Sequence, residues 1–322
     1  MSALIEARHL KKYFKSAKGT VHAVDDVSMK IEAGRTMGVV GESGCGKSTL
    51  GRTLIHLLES TDGELLFEGK DVTHVTPAEL KKLREKMQII FQDPYSSLNP
   101  RITVKSTIQE PLKLSGKFHS KEELEKETTR LMDLVGIEKR LRNAYPHELD
   151  GGRRQRVGIG RALALGPKFV VCDEPVSALD VSIQAQILNL LMDLQDEFGL
   201  TYMFVTHDLS VVRHISDDIT VMYLGQPVET SPSKELFKHQ LHPYSKALLS
   251  AIPSIDIHHK KERILLKGEI TSPIDPPPGC RFAARCPHAT EACKEPQKLE
   301  EIRPNHFVAC CRLGEMREIN QL

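Results

Sequence analysis

The chain has 322 residues, 40% of them hydrophobic, and a formal net charge of +1 at pH 7. A chain of this length can bury a full core and is expected to form two or three domains. Its near-neutral charge argues against nucleic acid or an anionic membrane surface as a main partner. No apolar stretch approaches the roughly 20 residues needed to span a bilayer, and no signal peptide begins at Met1. The composition therefore predicts a soluble cytosolic protein.

The predicted elements change in type along the chain. Residues 1–35 alternate apolar and polar positions and predict strands of an antiparallel layer. An apolar strand at 37–40 is followed by a helix and a hairpin at 61–69, and the pattern from 100 to 146 is helical. Residues 167–230 alternate strand-like runs with amphipathic helices, which indicates an α/β core with a parallel sheet.

A glycine-rich segment at 41–49 reads GESGCGKST and fills the phosphate-loop pattern G-x-x-x-x-G-K-[ST]. Its glycines allow the backbone to turn tightly and to bring N–H groups against phosphate oxygens. Lys47 is predicted to reach the terminal phosphates and Ser48 to ligate Mg²⁺. The following helix favours anions at its N-terminus. The sequence therefore predicts binding of a nucleoside triphosphate, with contacts from Gly41, Glu42, Ser43, Gly44, Cys45, Gly46, Lys47, Ser48 and Thr49.

Two acids, Asp173 and Glu174, directly follow an apolar strand at 169–172. A carboxylate at such a strand end can hold Mg²⁺, and the next one can polarise an attacking water. On its own, this pattern more often marks acids that face solvent. The upstream phosphate loop reverses that preference, so Asp173 is predicted as a Mg²⁺ ligand and Glu174 as the general base.

Three further features occur in a fixed order along the chain: Gln92 after an apolar run, the segment Ser-Ala-Leu-Asp at 177–180, and His207 after a strand. Taken singly, Gln92 is a surface amide, Asp180 is the N-cap of the next helix and His207 is a capping residue. Together with the phosphate loop and the acid pair, they resemble the ATP-binding subunits of ABC transporters over nearly all of the chain.

The resemblance implies a role for each of these residues in ATP hydrolysis. Gln92 is expected to contact Mg²⁺ and the lytic water and to relay to the membrane subunits, while His207 contacts the γ-phosphate and 177–180 touches the opposite subunit. An aromatic residue near the N-terminus is expected to stack on adenine. Phe14 is the matching position, and Tyr13 is the second choice.

The resemblance also implies the fold class and the domains. The expected fold is α/β, a P-loop ABC ATPase core with a parallel sheet and an antiparallel β layer, a helical subdomain and a small Cys-rich appendix. The expected bounds are 1–252 for the ATPase domain, with the helical subdomain inserted at about 93–160, and 253–322 for the Cys-rich C-terminal domain.

A narrower resemblance links the chain to oligopeptide and dipeptide importers. Residues 91–100 (FQDPYSSLNP), 241–249 (LHPYSKALL) and the tail with GCRF at 279–282 and RCP at 285–287 are similar to their ATPases, and GCGKSTLGR at 44–52 is similar to the F-type subunit. This implies an ATPase at the cytoplasmic membrane face. Its expected partners are a second, non-identical ABC ATPase, two transmembrane permease subunits and an extracellular or periplasmic solute-binding protein, without nucleic acid.

Other functions remain open at this point. Nickel chelates, sugars or another small solute are alternative cargoes, since selectivity in this architecture belongs to the membrane and solute-binding subunits. A soluble ABC ATPase acting on nucleic acid or ribosomes is a second class, against which the neutral charge and the tail stand. A plain P-loop kinase or GTPase is a third, opposed by His207 and by the Leu-Asp-Gly-Gly segment at 149–152.

That segment departs from the Leu-Ser-Gly-Gly-Gln motif of the family, which closes over ATP held by the opposite subunit. Asp150 stands in place of the serine, ahead of Gly151 and Gly152, and Arg153 stands in place of the glutamine. An ionised aspartate only accepts hydrogen bonds, and two unit charges about 4 Å apart interact by roughly 4 kcal/mol at an effective dielectric near 20. Arg153 and Arg154 are candidates to offset the charge, or Asp150 caps the next helix. We expect unequal ATP sites in the assembled pair.

Beyond residue 253 the sequence is rich in proline, cysteine and charge, which predicts a loop-rich appendix. Clustered cysteines in a cytosolic protein favour a metal site over disulfides. Their wide spacing favours a [4Fe–4S] cluster, with Zn²⁺ as the alternative and free thiols as the third reading. The resemblance implies the same cluster. Its predicted ligands are Cys280, Cys286, Cys293 and Cys310, with Cys311 adjacent to the last.

Overall fold

The computed structural model describes residues 3–252, 263–266, 268 and 272–314. The chain divides into two compact units. Unit 1 comprises residues 1–4, 32–35 and 74–204, and unit 2 comprises residues 5–31, 36–73 and 205–322. Parts of the predicted C-terminal domain, namely 253–262, 267, 269–271 and 315–322, lie outside the described residues.

The strands in the described residues are β1 (Ala3–Ser16), β2 (Gly19–Glu32), β3 (Thr36–Val40), β4 (Asp62–Phe67), β5 (Lys70–Asp71), β6 (Met87–Ile90), β7 (Phe169–Asp173), β8 (Thr201–Val205), β9 (Asp218–Tyr223), β10 (Gln226–Pro232), β11 (Glu300–Arg303) and β12 (His306–Val308). The helices are α1 (Lys47–Leu54), α2 (Pro77–Lys86), α3 (Pro94–Ser97), α4 (Val104–Ser115), α5 (Lys121–Leu134), α6 (Gly151–Leu163), α7 (Val181–Phe198), α8 (Leu209–Ile215), α9 (Ser233–Lys238) and α10 (Pro243–Ser250).

Unit 2 contains the predicted antiparallel layer. Its strands lie in the order β2-β1-β4-β5, and β1 pairs with β4 from Ile5 opposite Phe67 onward. Both of these residues are buried, as the alternation of apolar and polar positions predicts for a strand with one face on a core.

A second set of strands in unit 2 places the phosphate loop. Its order is β11-β12-β10-β9-β3, in which β3 is parallel to β9 and β10 is antiparallel to β9. Every residue of β3 is buried, which is typical of a parallel strand covered on both faces. The core around it includes Val40, Val221, Tyr244 and Phe282.

The C-terminal tail adds to this core. Strand β12 pairs with β10, with Phe307 opposite Thr230. The fully buried carboxylate of Glu229 accepts hydrogen bonds from the backbone N–H groups of Leu241 (2.8 Å) and His242 (3.0 Å), and its Oε1 lies 2.7 Å from Nε2 of His306. The tail is therefore tied to unit 2 by buried polar contacts as well as by apolar packing.

Unit 1 combines a parallel sheet with a helical region. Strands β8, β7 and β6 are neighbours in that order, and β6 is parallel to β7. The helical region contains α4, α5 and α6, which contact one another. Thr103 caps α4, and Ser120 forms a capping box with Glu123 at the start of α5. The mixture of parallel core, antiparallel layer and helical region agrees with the predicted fold class.

No helix among the described residues has the length and apolar character required to cross a membrane.

Burial of His242 generates a pH-dependent stability. Its Nδ1 accepts the backbone N–H of Tyr244 (3.1 Å) at the start of α10, and burial lowers the pKa of His242 to about 4 despite the opposing effect of Glu229. As the pH falls below about 6.5, His242 becomes protonated in the unfolded chain but stays neutral in the native state. Proton binding therefore stabilises the unfolded state. We expect this residue to withdraw up to about 3 kcal/mol of stability as the pH falls from 6.5 toward 4.

The variant His242→Asn retains a good N-cap and has no titrating ring. Urea unfolding at several pH values should show a shallower acid loss of stability for His242→Asn than for the unchanged protein. Equal slopes for the two proteins over this pH range would contradict the assignment.

Candidate functional site

The phosphate loop connects β3 to α1, and its glycines are required by close backbone contacts. Gly41 and Gly46 have positive φ angles of 153° and 101°. A Cβ atom at Gly46 would lie 1.9 Å from the carbonyl oxygen of Ala23, and one at Gly41 would lie 2.2 Å from that of Met222. No other residue type fits either position without moving the neighbouring backbone.

Lys47 lies inside the curve of this loop. Its side chain is buried, and Nζ donates to the carbonyl oxygens of Gly41 (2.8 Å) and Glu42 (3.0 Å). Ser48 and Thr49 occupy the first turn of α1, where Gly46 supplies no side-chain cap. A lysine ammonium and first-turn N–H groups converging on one loop are the donor set that suits a polyphosphate, and the Ser48 hydroxyl is a suitable Mg²⁺ ligand.

The two aromatic candidates near the N-terminus have different surroundings. The Tyr13 hydroxyl donates to Asp25, and its ring stacks on His22 with centroids 4.1 Å apart. Burial, together with this carboxylate, raises the pKa of Tyr13. Phe14 is 37% exposed, with the Lys12 ammonium 5.0 Å from its ring centroid. Phe14 therefore offers an exposed ring, whereas Tyr13 is held within unit 2.

Unit 1 brings Gln92 and Glu174 together. Nε2 of Gln92 donates to Oε2 of Glu174 at 2.8 Å. Glu174 has a φ of 47°, a left-handed conformation that is uncommon for a residue other than glycine. Asp173 precedes it at the buried end of β7 and is 1% exposed. The segment after Glu174 is held close to it, since the Ser177 hydroxyl donates to the carbonyl oxygen of Glu174 (3.1 Å).

His207 belongs to unit 2 and lies between β8 and α8. It is exposed, next to the buried Thr206, whose N–H donates to the carbonyl of Val39 (3.2 Å) at the end of β3. Asp208 then caps α8 by accepting the N–H of Ser210 at 2.8 Å. His207 is thus placed by a capped turn next to the strand that leads into the phosphate loop.

Asp150 is the N-cap of α6. Its Oδ1 accepts the N–H of Arg153 (2.7 Å), and its Oδ2 accepts Nη1 of the same arginine (2.9 Å). Nη2 of Arg153 also contacts Glu138 at 3.1 Å. The charge of Asp150 is therefore offset by the arginine that replaces the motif's glutamine, as the sequence allowed.

The glycines of this motif let α6 start close to its neighbours. A Cβ at Gly152 would lie 2.6 Å from Cγ2 of Ile183 in α7, and one at Gly151 would lie 3.1 Å from Cδ2 of Leu179. A larger residue at Gly152 would push α7 aside.

A cation–π pair joins the residues after Gln92 to the start of α6, and sequence reasoning missed it. The guanidinium of Arg154 lies 4.2 Å from the ring centroid of Tyr95, and its Nε donates to the carbonyl of Leu149 at 2.9 Å. Arg161 makes a second connection by donating to the carbonyl of Ser97 (2.6 Å). Nothing in the separate sequence segments signals this pairing, because the two partners lie far apart along the chain.

The cysteines of the tail are near one another without forming a complete metal site. The sulfur atoms of Cys293 and Cys311 are 3.5 Å apart, and the N–H of Cys280 donates to the carbonyl of Cys293 at 2.8 Å. Burial raises the pKa of Cys280 to about 11 and also raises that of Cys310. Among the residues that the structure describes, no three His, Cys, Asp or Glu side chains form a group suited to a metal ion.

Unit 2 has a glycine-dependent phosphate loop after a buried strand, and unit 1 has an acid pair at the end of another buried strand. Both features are typical of a P-loop nucleoside triphosphatase. Comparison with known proteins gives the family. The model of the ABC transporter family matches residues 24–177, and that of the oligopeptide/dipeptide transporter C-terminal region matches residues 228–293.

The full-length relatives and the solved structures agree. The chain is 50% identical to the oligopeptide transport ATP-binding protein AppF of Bacillus subtilis, over 95% of this chain and 96% of that protein. It is also 50% identical to the dipeptide transport ATP-binding protein DppF of Haemophilus influenzae, over 95% and 96%. The ABC transporter cassette MJ0796 is 30% identical, with a TM-score of 0.65 over 71% of this chain and 98% of that one. The chain belongs to the ABC transporter ATPase family, and the predicted resemblance and fold class are confirmed.

Proposed function

We propose that this chain is the ATP-hydrolysing subunit of an ABC transporter that imports di- or oligopeptides. The observation that carries the proposal is the combination of an ABC ATPase core with the C-terminal region of oligopeptide and dipeptide transporters at residues 228–293. The names of relatives that match nearly the whole chain support the same cargo. Nickel or another small solute is the alternative cargo, and a soluble ABC ATPase is the alternative class.

The proposed chemistry assigns one role to each site residue. Lys47 and His207 bind the terminal phosphates, and the loop N–H groups and Thr49 orient the chain of phosphates. Phe14 stacks on the adenine ring. Ser48, Gln92 and Asp173 are the proposed Mg²⁺ ligands, and the ion supplies charge neutralisation on the phosphates when bound.

Glu174 is the proposed general base. Its carboxylate accepts the hydrogen bond of Gln92 (2.8 Å), which orients it to take a proton from the attacking water. The left-handed backbone at Glu174 aims the side chain differently from that of the buried Asp173 one residue earlier. The adjacent acids can thus take the separate roles of base and metal ligand.

We also propose the assembly implied by the importer resemblance. This subunit would pair with a second, non-identical ABC ATPase at the cytoplasmic face of the membrane. The pair would bind two transmembrane permease subunits, which receive the solute from a solute-binding protein. ATP-driven closure of the pair would switch the permeases between their inward- and outward-facing states.

The two ATP sites of such a pair are proposed to be unequal. This chain retains Lys47, Gln92, Asp173, Glu174 and His207 for the ATP in its own loop. Toward the partner's ATP it contributes Asp150 with Gly151 and Gly152, and Asp150 presents a carboxylate where the family has a hydroxyl donor. The hydrogen bonds from Arg153 reduce the repulsion but do not restore a hydroxyl (2.7 and 2.9 Å). The partner's site is expected to retain ATP longer.

The four cysteines 280, 286, 293 and 310 are proposed to hold a [4Fe–4S] cluster, with Zn²⁺ as the alternative. Their spacing and the importer resemblance support the cluster. The arrangement of the thiols in the described residues does not form a metal group as it stands. To bind the cluster, the cysteine side chains would therefore have to move and their thiols would have to lose their protons. This deprotonation is opposed at Cys280, whose pKa is raised to about 11.

The cargo is tested by transport in reconstituted vesicles that contain this subunit with the permease and ATPase subunits encoded beside it. We expect ATP-dependent uptake of labelled di- or oligopeptides. Glu174→Gln should slow uptake about 100-fold or more, since it removes the general base. Glu122→Gln, an exposed exchange of the same kind in α5, should leave uptake unchanged. Uptake of nickel without peptide, or failure to join any permease, would overturn the proposal.

The inequality of the sites is tested by counting the nucleotide that the complex retains after a single turnover. The unchanged complex should retain one of two ATP molecules, and Asp150→Ser should release it by restoring the hydroxyl donor. Ser120→Asp is the matched N-cap exchange at α5 and should have no effect. If Asp150→Ser changes nothing while Glu174→Gln is harmless, both role assignments are wrong.

The cluster is tested by anaerobic purification followed by visible absorbance and metal analysis. We expect about four iron atoms per chain, and their loss in Cys293→Ser. Cys172→Ala, which changes an isolated buried cysteine in β7, should retain the iron. One zinc ion without iron would contradict the cluster and support the alternative.

A further inference from the structure

A short turn of the tail, residues 280–286, inserts two arginines into unit 2. The side chains of Arg281 and Arg285 are only 6% and 8% exposed. Phe282 lies between them and is 1% exposed, with its ring 5.2 Å from that of Tyr223 and 5.4 Å from that of Tyr244. The apolar anchor fixes the turn, so the two guanidinium groups have defined positions.

Arg285 binds the phosphate loop. Its Nη1 and Nη2 contact the two carboxylate oxygens of Glu42 at 2.7 and 3.2 Å, a bidentate arrangement. Glu42 is the second residue of the loop, and its own N–H donates to the Tyr244 hydroxyl at 2.9 Å. The hydrogen bond that Arg285 donates to the Glu42 carboxylate raises the pKa of Arg285, so its guanidinium keeps its charge. The turn therefore holds both the side chain and the backbone of Glu42.

Arg281 binds the segment that carries the N-terminal aromatic residues. It donates to the carboxylate of Asp25 and to the carbonyl of Leu224. Asp25 accepts the Tyr13 hydroxyl, and Tyr13 precedes Phe14.

The Leu224 carbonyl connects Arg281 to the phosphate loop as well. The next residue, Gly225, donates its N–H to the carbonyl of Cys45 in the loop (2.8 Å). The carbonyl of Gly225 accepts the N–H of Asp25 (2.9 Å). Through Leu224 and Gly225, Arg281 is thus connected both to the phosphate loop and to the segment that carries Phe14, the two segments proposed to hold the nucleotide.

The charge of Glu42 gives the Arg285 pair a consequence for anion binding. Glu42 lies in the loop predicted to bind phosphates, where an unpaired carboxylate would repel them. The bidentate arginine compensates this charge and is itself compensated, so neither ion is left alone in a poorly solvated position. The other side chains of the loop at 41–49 are cationic or neutral. The pairing of Glu42 therefore determines the electrostatic potential at the phosphate site.

We propose that Arg285 and Arg281 are positioning residues through which the tail sets the affinity of the subunit for ATP. Arg285 compensates the charge of Glu42 and holds the conformation of the phosphate loop. Arg281 holds the Asp25–Tyr13 pair beside Phe14. The inference deepens the proposed function, because it concerns regulation of the same ATP site.

Fluorescent ATP titrated into the purified full-length chain measures the effect without transport. Arg285→Gln should weaken binding about tenfold, because it leaves Glu42 unpaired next to the phosphates. Arg285→Lys keeps the positive charge but loses the bidentate contact of the guanidinium, so it should give an intermediate affinity for ATP. Combining Arg285→Gln with Glu42→Gln should recover at least threefold of the lost affinity. The deficit of Arg285→Gln should shrink in about 1 M salt, which screens the repulsion.

Arg303→Gln is the matched control, since Arg303 is an arginine of the same tail that pairs with Glu235 of α9 (2.6 Å). It should leave the affinity for ATP within twofold. Arg281→Gln should weaken binding of ATP without weakening inorganic triphosphate to the same extent, because it acts on the segment beside Phe14.

Three results would overturn the inference. They are unchanged affinity in Arg285→Gln, an equal loss in Arg303→Gln, and a double variant no tighter than Arg285→Gln alone. Thermal melting of each variant identifies unfolded protein, and Arg285→Lys keeps the test open if Arg285→Gln does not fold. An unchanged chain that binds ATP but imports no peptide would contradict the proposed function and leave this inference intact.

Discussion

The structure of unit 2 depends on the narrow space around the phosphate loop. Carbonyl oxygens of Ala23 and Met222 lie so near Gly46 and Gly41 that a single added carbon would collide with each. The loop can turn only because glycine accepts positive φ without a side chain. The loop leaves the end of strand β3, which pairs with β9, and it places the buried Lys47 at the start of α1.

Much of the architecture was predictable because it depends on local patterns. The apolar run of β3, the alternation in the N-terminal strands and the helical stretch before residue 146 each signal their own structure. The phosphate loop is similarly local, since its chemistry requires consecutive residues. Gln92 and Glu174 are different: only their order along the chain connected them, and the hydrogen bond between them is a product of folding.

The remainder could not be predicted, because it joins residues distant in sequence that carry no pattern of their own. An arginine in a Cys-rich turn gives no sign that its partner is a glutamate 243 positions earlier. The same holds for Arg154 over Tyr95. Asp150 lies between these cases. The replacement of the family's serine by Asp150 is visible in the sequence, and so is Arg153 as a candidate to offset its charge. Only the folded structure shows that one carboxylate both caps α6 and binds that arginine.

The position of the anchoring turn near the C-terminus has a consequence for biosynthesis. Phe282 completes the aromatic cluster of Tyr223 and Tyr244, and Arg285 reaches back to Glu42. A nascent chain emerges from the ribosome with its phosphate loop long before these residues exist. Until translation has passed this turn, Glu42 is without its arginine and the aromatic cluster lacks one ring. Under the proposal that Arg285 and Arg281 set the affinity for ATP, the growing chain reaches its full affinity only after this turn has been translated.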